Sequence, residues 1–266
     1  MFKLLKKIAK VLLPYGVLVI FRKLKGKQPN VPDANSKVLN LKFTIFDGYK
    51  TNNHGQDGED ILLQLFIKKH CRNDGFYVDI GAFHPIILSN TKYFYDMGWN
   101  GINIDANPDA IAEFNKYRDR DINISCGVSD EYGELDYYYF GEQASINTFC
   151  KEQAETFEKK FNTKISEIKK MPVQPINNIL EKYCSKDQSI DFITLDVEGF
   201  EMKILKSLDF TKYAPDYFLV EDLETKGKNI EIFKKTILYN FLKGKGYNVV
   251  GKTHLTYLFQ KENILS

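Results

Sequence analysis

The segment Asp191-Phe-Ile-Thr-Leu-Asp-Val-Glu-Gly-Phe-Glu201 sets Asp196, Glu198 and Glu201 at the end of an apolar run. Asp196 and Glu198 share a face if the run is an extended strand, Gly199 permits a turn, and Glu201 falls in the first turn of a following helix. Glu201, and Glu198 with it, could do no more than complement that helix's dipole. Three converging acids are nevertheless costly without a cation, a proton or a hydroxyl-rich ligand. Asp196 therefore reads as a general base for a hydroxyl, or as the group that positions it. Glu198 and Glu201 would bind further hydroxyls or a divalent ion that acidifies one, although no metal ligand is assigned. His84, in Asp79-Ile-Gly-Ala-Phe-His-Pro85, is the second candidate base; a lone histidine before a proline also has an ordinary structural reading.

Phe76 to Ile80 reads as a buried strand with Asp79 near its end, and Gly101 to Asp105 as another ending in a carboxylate. A doubly wound sheet addresses a nucleoside in this way. Gly81 and Ala82 have little or no side chain, so their amides can approach a ligand closely, and Asp79 suits an ammonium group or its water shell. Asp105 stands where ribose hydroxyls need an acceptor. Pro108 favours a first helical position, which makes Asn107 the cap and frees Asp105. Behind the first strand lie Ser89, Asn90 and Thr91, of which Ser89 or Asn90 is expected to cap the next helix. No second or third glycine follows Gly81, so the turn cannot cradle a pyrophosphate. That points to S-adenosylmethionine, a nucleoside without phosphates, and away from a nucleotide-sugar oxidoreductase or epimerase. A third reading, a non-catalytic membrane-docked scaffold, is opposed by the intact Asp79, Gly81, Asp105 and Asp196.

The elements that must position these residues alternate. Helices are expected over Asp60 to His70, Asn90 to Met97, Asn107-Pro108 to Arg118, Ile176 to Tyr183, Gly199 to Leu208 and Ile230 to Leu242. Strands are expected over Phe76 to Ile80, Gly101 to Asp105, Ile122 to Cys126, Asp191 to Leu195 and Tyr217 to Val220, with Leu135 to Phe140 a further candidate. Glu152 to Lys170 reads as a charged helical insertion. Gly246 to Val250 and His254 to Phe259, joined by Gly251-Lys252-Thr253, form a closing hairpin. The predicted fold is an α/β, doubly wound, mainly parallel seven-stranded Rossmann-like sheet with an antiparallel C-terminal hairpin.

The 266 residues are 43% hydrophobic and 27% charged, an ordinary composition for a folded protein with one α/β domain. The net charge of +2 hides an asymmetry. Residues 1–27 carry eight cations from Lys3 to Lys27 and no acid, so the remainder is acidic, which argues against nucleic acid as a partner. Within that segment the uncharged stretch Val11 to Phe21 is broken by Pro14 and Gly16 and is too short to span a bilayer, which takes about 20 apolar residues. Phe2, Leu5, Ile8 and Leu12 share a helical face beside Lys3, Lys6, Lys7 and Lys10. This pattern suits a helix lying on an anionic membrane surface, or one packed on the domain or a partner subunit. The expected organisation is a basic amphipathic segment over 1–27, a linker over 28–40 and a catalytic domain over 41–266, placed in the cytoplasm or on the inner face of a membrane. Cys71, Cys126, Cys150 and Cys184 lie far apart without zinc-ligand spacing and read as free thiols.

In its motifs the chain resembles the FkbM-type family of S-adenosylmethionine-dependent methyltransferases. The matching pieces are Val78-Asp-Ile-Gly-Ala82, Ser89-Asn-Thr91, Gly98-Trp-Asn-Gly101 running into Ile104-Asp-Ala-Asn-Pro108, and Leu195-Asp-Val-Glu-Gly-Phe-Glu201. Gln56-Asp-Gly-Glu-Asp60 is also similar. The resemblance implies that Gln56 and Glu59 help form the cofactor end of the cleft. It also implies that Asp79, Gly81 and Ala82 line the methionine part, with Ser89, Asn90 and Thr91 behind them, Asp105 the ribose, and Ser129 and Asp130 the adenine. It further implies O-methylation of hydroxyl groups, often on sugars or polyketide products, and hence a sugar or glycan acceptor.

Overall fold

The computed structural model describes residues 53–67, 74–141, 144–185 and 187–262. The basic segment, the linker and Cys71 lie outside the described residues. In chain order the elements are α1 (Glu59–Ile67), β1 (Phe76–Ile80), α2 (Lys92–Asp96), β2 (Asn100–Asp105), α3 (Pro108–Tyr117), β3 (Ile122–Ser125), β4 (Gly127–Ser129), β5 (Gly133–Tyr139), α4 (Lys151–Phe161), β6 (Glu167–Pro175), α5 (Ile176–Tyr183), β7 (Phe192–Leu195), α6 (Glu201–Ser207), β8 (Tyr217–Glu221), α7 (Ile230–Phe233), α8 (Ile237–Gly244), β9 (Tyr247–Lys252) and β10 (Thr256–Lys261).

Seven strands form one sheet in the order β3-β2-β1-β7-β8-β10-β9. The first five are parallel, and β10 runs antiparallel to both β8 and β9. Strands β1, β7 and β8 are buried along their whole length, as unbroken apolar runs covered on both faces must be. Alternate side chains feed two cores. Val78, Ile80, Ile193, Leu195, Phe218 and Val220 meet α5, α6 and α8. Tyr77, Phe192, Tyr217 and Leu219 meet Leu63 and Ile67 of α1 and Phe94 of α2. Each large side chain so buried contributes about 1.5–3 kcal/mol. The sheet is therefore doubly wound. Its topological switch lies between β1 and β7, where chains leave in opposite directions and ligands enter such folds.

The expected helix over Glu152 to Lys170 is half right. Helix α4 stops where Asn162 takes a left-handed conformation (φ 48°), and Glu167 onward is strand β6. This strand joins β4 and β5 in a second, three-stranded sheet that also takes in the aromatic run. Here Lys170 pairs across the strands with Asp136 at 2.7 Å, and Lys169 lies over the Tyr139 ring at 3.5 Å. The expected helix over Ile230 to Leu242 is two, α7 and α8, because Thr236 caps the second by accepting the Tyr239 amide at 3.2 Å. The hairpin turn falls at Thr253 to Leu255, since Gly251 and Lys252 belong to β9, and β3 ends one residue before Cys126. Cys126, Cys150 and Cys184 are free thiols. No helix among the described residues is long and apolar enough to cross a membrane.

Candidate active site

Asp79 near the end of β1, Asp105 at the end of β2, Asp196 just after β7 and Glu221 at the end of β8 lie at the same edge of the sheet, and the switch point brings these ends side by side. At the β2 end, Asp105 is part-buried. Its Oδ2 accepts the Phe83 amide at 2.9 Å and its Oδ1 the Asn107 amide at 2.7 Å. The carboxyl is thus less free than the sequence suggested, although Asn107 does cap α3 by accepting the Asp109 amide. A carboxylate offers about four acceptor sites, so each oxygen keeps one for a ribose hydroxyl. Burial pushes the Asp105 carboxyl up, against the two amides that lower it.

The Gly81 and Ala82 amides do not face a ligand: both donate to the Ile104 carbonyl, at 2.9 and 3.1 Å. The expectation of open amides at this turn is corrected accordingly. Glycine is required here for another reason. Gly81 has φ 81°, and a Cβ on it would stand 1.7 Å from the Asp196 carbonyl oxygen, so the turn after β1 lies directly against the end of β7.

Asp79, 4% exposed, is held by a network that the sequence reading did not contain. Its Oδ2 accepts the Thr91 hydroxyl at 2.9 Å, and Thr91 Oγ1 in turn accepts from the Arg118 guanidinium at 3.0 Å. Arg118 is fully buried and also donates to Asp121, to Tyr77 Oη and to the Pro85 carbonyl. Asp121 ties the network to β2 through Asn103 and the Gly101 amide. Burial raises the Asp79 carboxyl to about 7, against the lowering by Thr91 and Arg118. Arg118 appears in the sequence only as the end of a helix, and a buried arginine leaves no local signal.

Around this core the other expected cofactor residues are arranged as follows. Ser89 Oγ accepts the Lys92 amide at 3.2 Å, so it serves as the cap of α2 although Thr91 is the boundary residue. Asn90 donates to Thr194 on β7 at 3.2 Å. Glu59 is buried, and its carboxylate takes the Asp57 amide at 2.7 Å and the Thr253 hydroxyl at 2.9 Å, which pins α1 to the hairpin turn. Gln56 is exposed beside it. Ser129 is buried at the end of β4, and the exposed Asp130 pairs with Lys203 of α6 at 3.1 Å, which holds its carboxyl low.

At the acidic end, Asp196 follows β7 and Glu221 closes β8. The register Leu195↔Val220 makes them neighbours on adjacent parallel strands. Glu198 sits between the following turns with φ 53°, and its carbonyl accepts the Thr148 hydroxyl at 2.8 Å. Burial raises the Asp196 carboxyl to about 7, against a hydrogen bond with Glu221 that lowers it, and nearby Glu201, Glu59 and Asp79 add to the rise. Burial and like charge drive Glu198 and Glu221 well above the usual carboxylate range. Two unit charges 4 Å apart repel by about 4 kcal/mol at an effective dielectric constant of 20, so these groups cannot all ionise without compensation. Glu201 stands apart from them in role. Its carboxylate accepts the Val197 and Gly199 amides at 3.1–3.2 Å and so locks the turn. His84 is likewise committed, because Nδ1 accepts the Ile86 and Ile87 amides at 3.1 and 3.0 Å, so the neutral ring offers an N–H on Nε2 and no lone pair. Sequence reasoning missed Glu221 by ending the strand at Val220; a strand closing in an acid was the signal already used for Asp105.

The N-terminal end of α4 covers this region. A Cβ on Gly199 would come within 2.9 Å of Gln153. Between α4 and the segment after β8 lies a cavity of about 180 Å³, lined by Gln153, Thr156, Phe157, Lys160, Leu223 and Lys226. Both lysines act electrostatically on Glu198, although none of Asp196, Glu198 and Glu221 lines the cavity itself.

The profile of the Methyltransferase FkbM domain matches residues 79–249, from Asp79 near the end of β1 into β9. The chain belongs to the FkbM methyltransferase family. It is accordingly an S-adenosylmethionine-dependent methyltransferase, and the oxidoreductase and scaffold readings are set aside. No curated protein matches the sequence. Among solved structures, the FkbM chain is similar to the Burkholderia thailandensis 1,6-didemethyltoxoflavin-N1-methyltransferase with bound S-adenosylhomocysteine, at 13% identity over 88% of this chain and 90% of that one, TM-score 0.39. The O-methyltransferase TomG from Streptomyces achromogenes is 9% identical over 92% and 94% of the two chains, TM-score 0.39. An O-methyltransferase from Bacillus cereus is 10% identical over 96% and 94%, TM-score 0.32. The fold assignment of the FkbM chain rests on its own strand order.

Proposed function

We propose that the protein methylates a hydroxyl of a sugar or glycan, with Asp196 as the group that positions the hydroxyl and takes its proton. The observation that carries this reading is the position of Asp196. It follows β7 beside the β1 turn and stands with Glu198 and Glu221, on the side of the sheet edge that α4 covers. Carboxylates in a part-buried site suit polyhydroxyl ligands, because each accepts from more than one hydroxyl.

S-adenosylmethionine, when bound, supplies an electrophilic methyl group and leaves as S-adenosylhomocysteine once the acceptor oxygen has formed its bond to carbon. The chain's own residues do the rest. Asp105 accepts ribose hydroxyls, and Asp79, steadied by Thr91 and Arg118, borders the methionine part. Gly81 and Ala82 form the turn between them. Ser129 and Asp130 border the adenine. The acceptor enters from the α4 side, where Gln153, Thr156 and Lys160 offer polar contacts. Orientation of the hydroxyl supplies most of the rate, and proton removal by Asp196 adds about 10²–10⁴-fold. A screen of glycan acceptors with S-adenosylmethionine tests the reading: methyl transfer to amines or to non-carbohydrate hydroxyls only would overturn the acceptor class.

We further propose that residues 1–27 dock the enzyme on an anionic membrane surface. Their support is the run of eight cations beside an apolar helical face. Binding should weaken with salt, since exposed charge is screened over about 8 Å at physiological ionic strength. Equal flotation of full-length and truncated protein with anionic liposomes refutes it.

A further inference from the structure

Three carboxylates meet at the acceptor end, and no lysine or arginine among the described residues forms an ion pair with them. One ligand oxygen each from Asp196, Glu198 and Glu221 lies within 4.8 Å of the other two. The Glu221 carboxyl meets that of Asp196 in a side-chain hydrogen bond, yet Oε2 of Glu221 and Oε2 of Glu198 are buried and have no hydrogen-bond partner among the described residues. Glu221 is only 6% exposed, so water does not offset the loss. Lys160 and Lys226 reach Glu198 only through space, and neither hydrogen-bonds the orphaned oxygens.

The backbone explains how the three converge. Asp196 and Glu221 follow the paired residues Leu195 and Val220 on adjacent parallel strands, so their side chains leave the sheet edge together. Glu198 comes back towards them because it holds a left-handed conformation (φ 53°) in a turn clamped by Glu201. The donors are all carboxylate oxygens, with no histidine or thiol among them. Hard divalent cations bind such oxygens at about 2.0–2.6 Å, so ligand oxygens around one ion stand up to roughly 5 Å apart.

We propose that Asp196, Glu198 and Glu221 hold one divalent cation of the Mg²⁺, Mn²⁺ or Ca²⁺ class at the acceptor end of the cleft. Three carboxylates leave coordination positions open, and an acceptor hydroxyl entering one of them would be acidified. That use of the ion rests on the O-methyl transfer proposed above; the binding itself does not.

The test is a Mn²⁺ titration of the full-length protein after chelator treatment, with free Mn²⁺ read by electron paramagnetic resonance. The expected result is one Mn²⁺ per chain, with Kd at least tenfold weaker in Glu221→Gln and in Glu198→Gln. Asp136→Asn, on the outer sheet, should leave Kd unchanged. Circular dichroism of each variant separates lost binding from lost folding, and removal of one crowded carboxyl should not lower the melting temperature of the metal-free protein. The proposal is overturned if the wild type binds no Mn²⁺ at millimolar concentration, which would leave Asp196 and Glu221 sharing a proton instead. It is overturned equally if both glutamate variants bind as tightly as wild type. Calorimetry with S-adenosylhomocysteine in chelator keeps the two readings apart. Homocysteine-nucleoside binding without Mn²⁺ binding removes the cation site alone, and Mn²⁺ binding without it removes the cofactor assignment alone.

Discussion

The carbonyl oxygen of Asp196 occupies the place that a side chain on Gly81 would need, 1.7 Å from its would-be Cβ. The turn proposed to border the methyl donor and the residue proposed to take the acceptor's proton are thus built against each other. Gly81→Ala should therefore cost about 3 kcal/mol or more, from the left-handed φ of 81° together with the clash. Denaturant unfolding measures it, and a loss below about 1 kcal/mol would mean that the turn relaxes.

Why was this relationship not legible beforehand? The glycine itself was: a small residue after a strand ending in an acid is a local signal. Its reason was not, because the neighbour that forbids a Cβ comes from residue 196, far along the chain. The same divide runs through the whole molecule. The apolar runs of β1, β7 and β8 declared the main sheet, and Asn107-Pro108 declared a helix start. Strand β6 was misread because its charges fit a helix; it is a strand only by virtue of β5, to which Lys170 and Lys169 attach. Arg118 is invisible for a related reason, since it acquires its meaning from partners on other elements, whereas Glu221 closes an apolar run as Asp105 does and was open to the same reading.

Replacing Arg118 by Met should destabilise the protein by about 3–5 kcal/mol, because the buried Asp121 would lose its counter-charge while keeping only neutral donors from Tyr77, Asn103 and Gly101. Chemical denaturation of purified protein checks this. A loss under 1 kcal/mol would show that the network around Thr91 and Tyr77 can close without the guanidinium.

Asp79 gives a pH dependence with a definite sign. Its carboxyl is raised to about 7 in the folded protein, against about 3.9 in an unfolded chain. Between these values the folded state holds a proton that the unfolded state has released. This contribution is therefore full below about pH 4 and is lost as pH rises through about 7. Asp79→Asn removes it, so the difference in unfolding free energy between variant and wild type should shift in the variant's favour by up to roughly 4 kcal/mol from pH 4 to pH 8. A difference that stays flat across this range counts against a proton on Asp79.

Asp105→Ala should weaken S-adenosylhomocysteine binding at least tenfold, about 1.4 kcal/mol, by calorimetry. The variant also frees the Phe83 and Asn107 amides, so Asp105→Asn, which still accepts one of them, is the cleaner companion. Wild-type affinity in both would move the ribose elsewhere.

For Asp196, the isosteric Asp196→Asn should lower turnover at least tenfold while S-adenosylhomocysteine affinity stays near wild type. Turnover near wild type would shift the proton's destination to Glu198 or Glu221. Loss of cofactor affinity would place Asp196 with the cofactor rather than the acceptor.

The second sheet has a consequence for how such an enzyme could diversify. The chain leaves the main sheet after β3 and returns at α5, and the two points are paired: Gly127 lies opposite Val173 and Ser129 opposite Pro175. Everything between them, including β5 and α4, hangs from a closed clasp. Loop closure costs little more as a loop grows, about 0.6 kcal/mol per doubling. Length can therefore vary at the outer turns of this stretch at little cost, whereas Thr148, which donates to the Glu198 carbonyl, and Gln153, which packs against Gly199, tie its inner side to the turn after β7. An acceptor pocket built partly from such a stretch would be open to change along its outer turns and constrained where it meets the turn after β7.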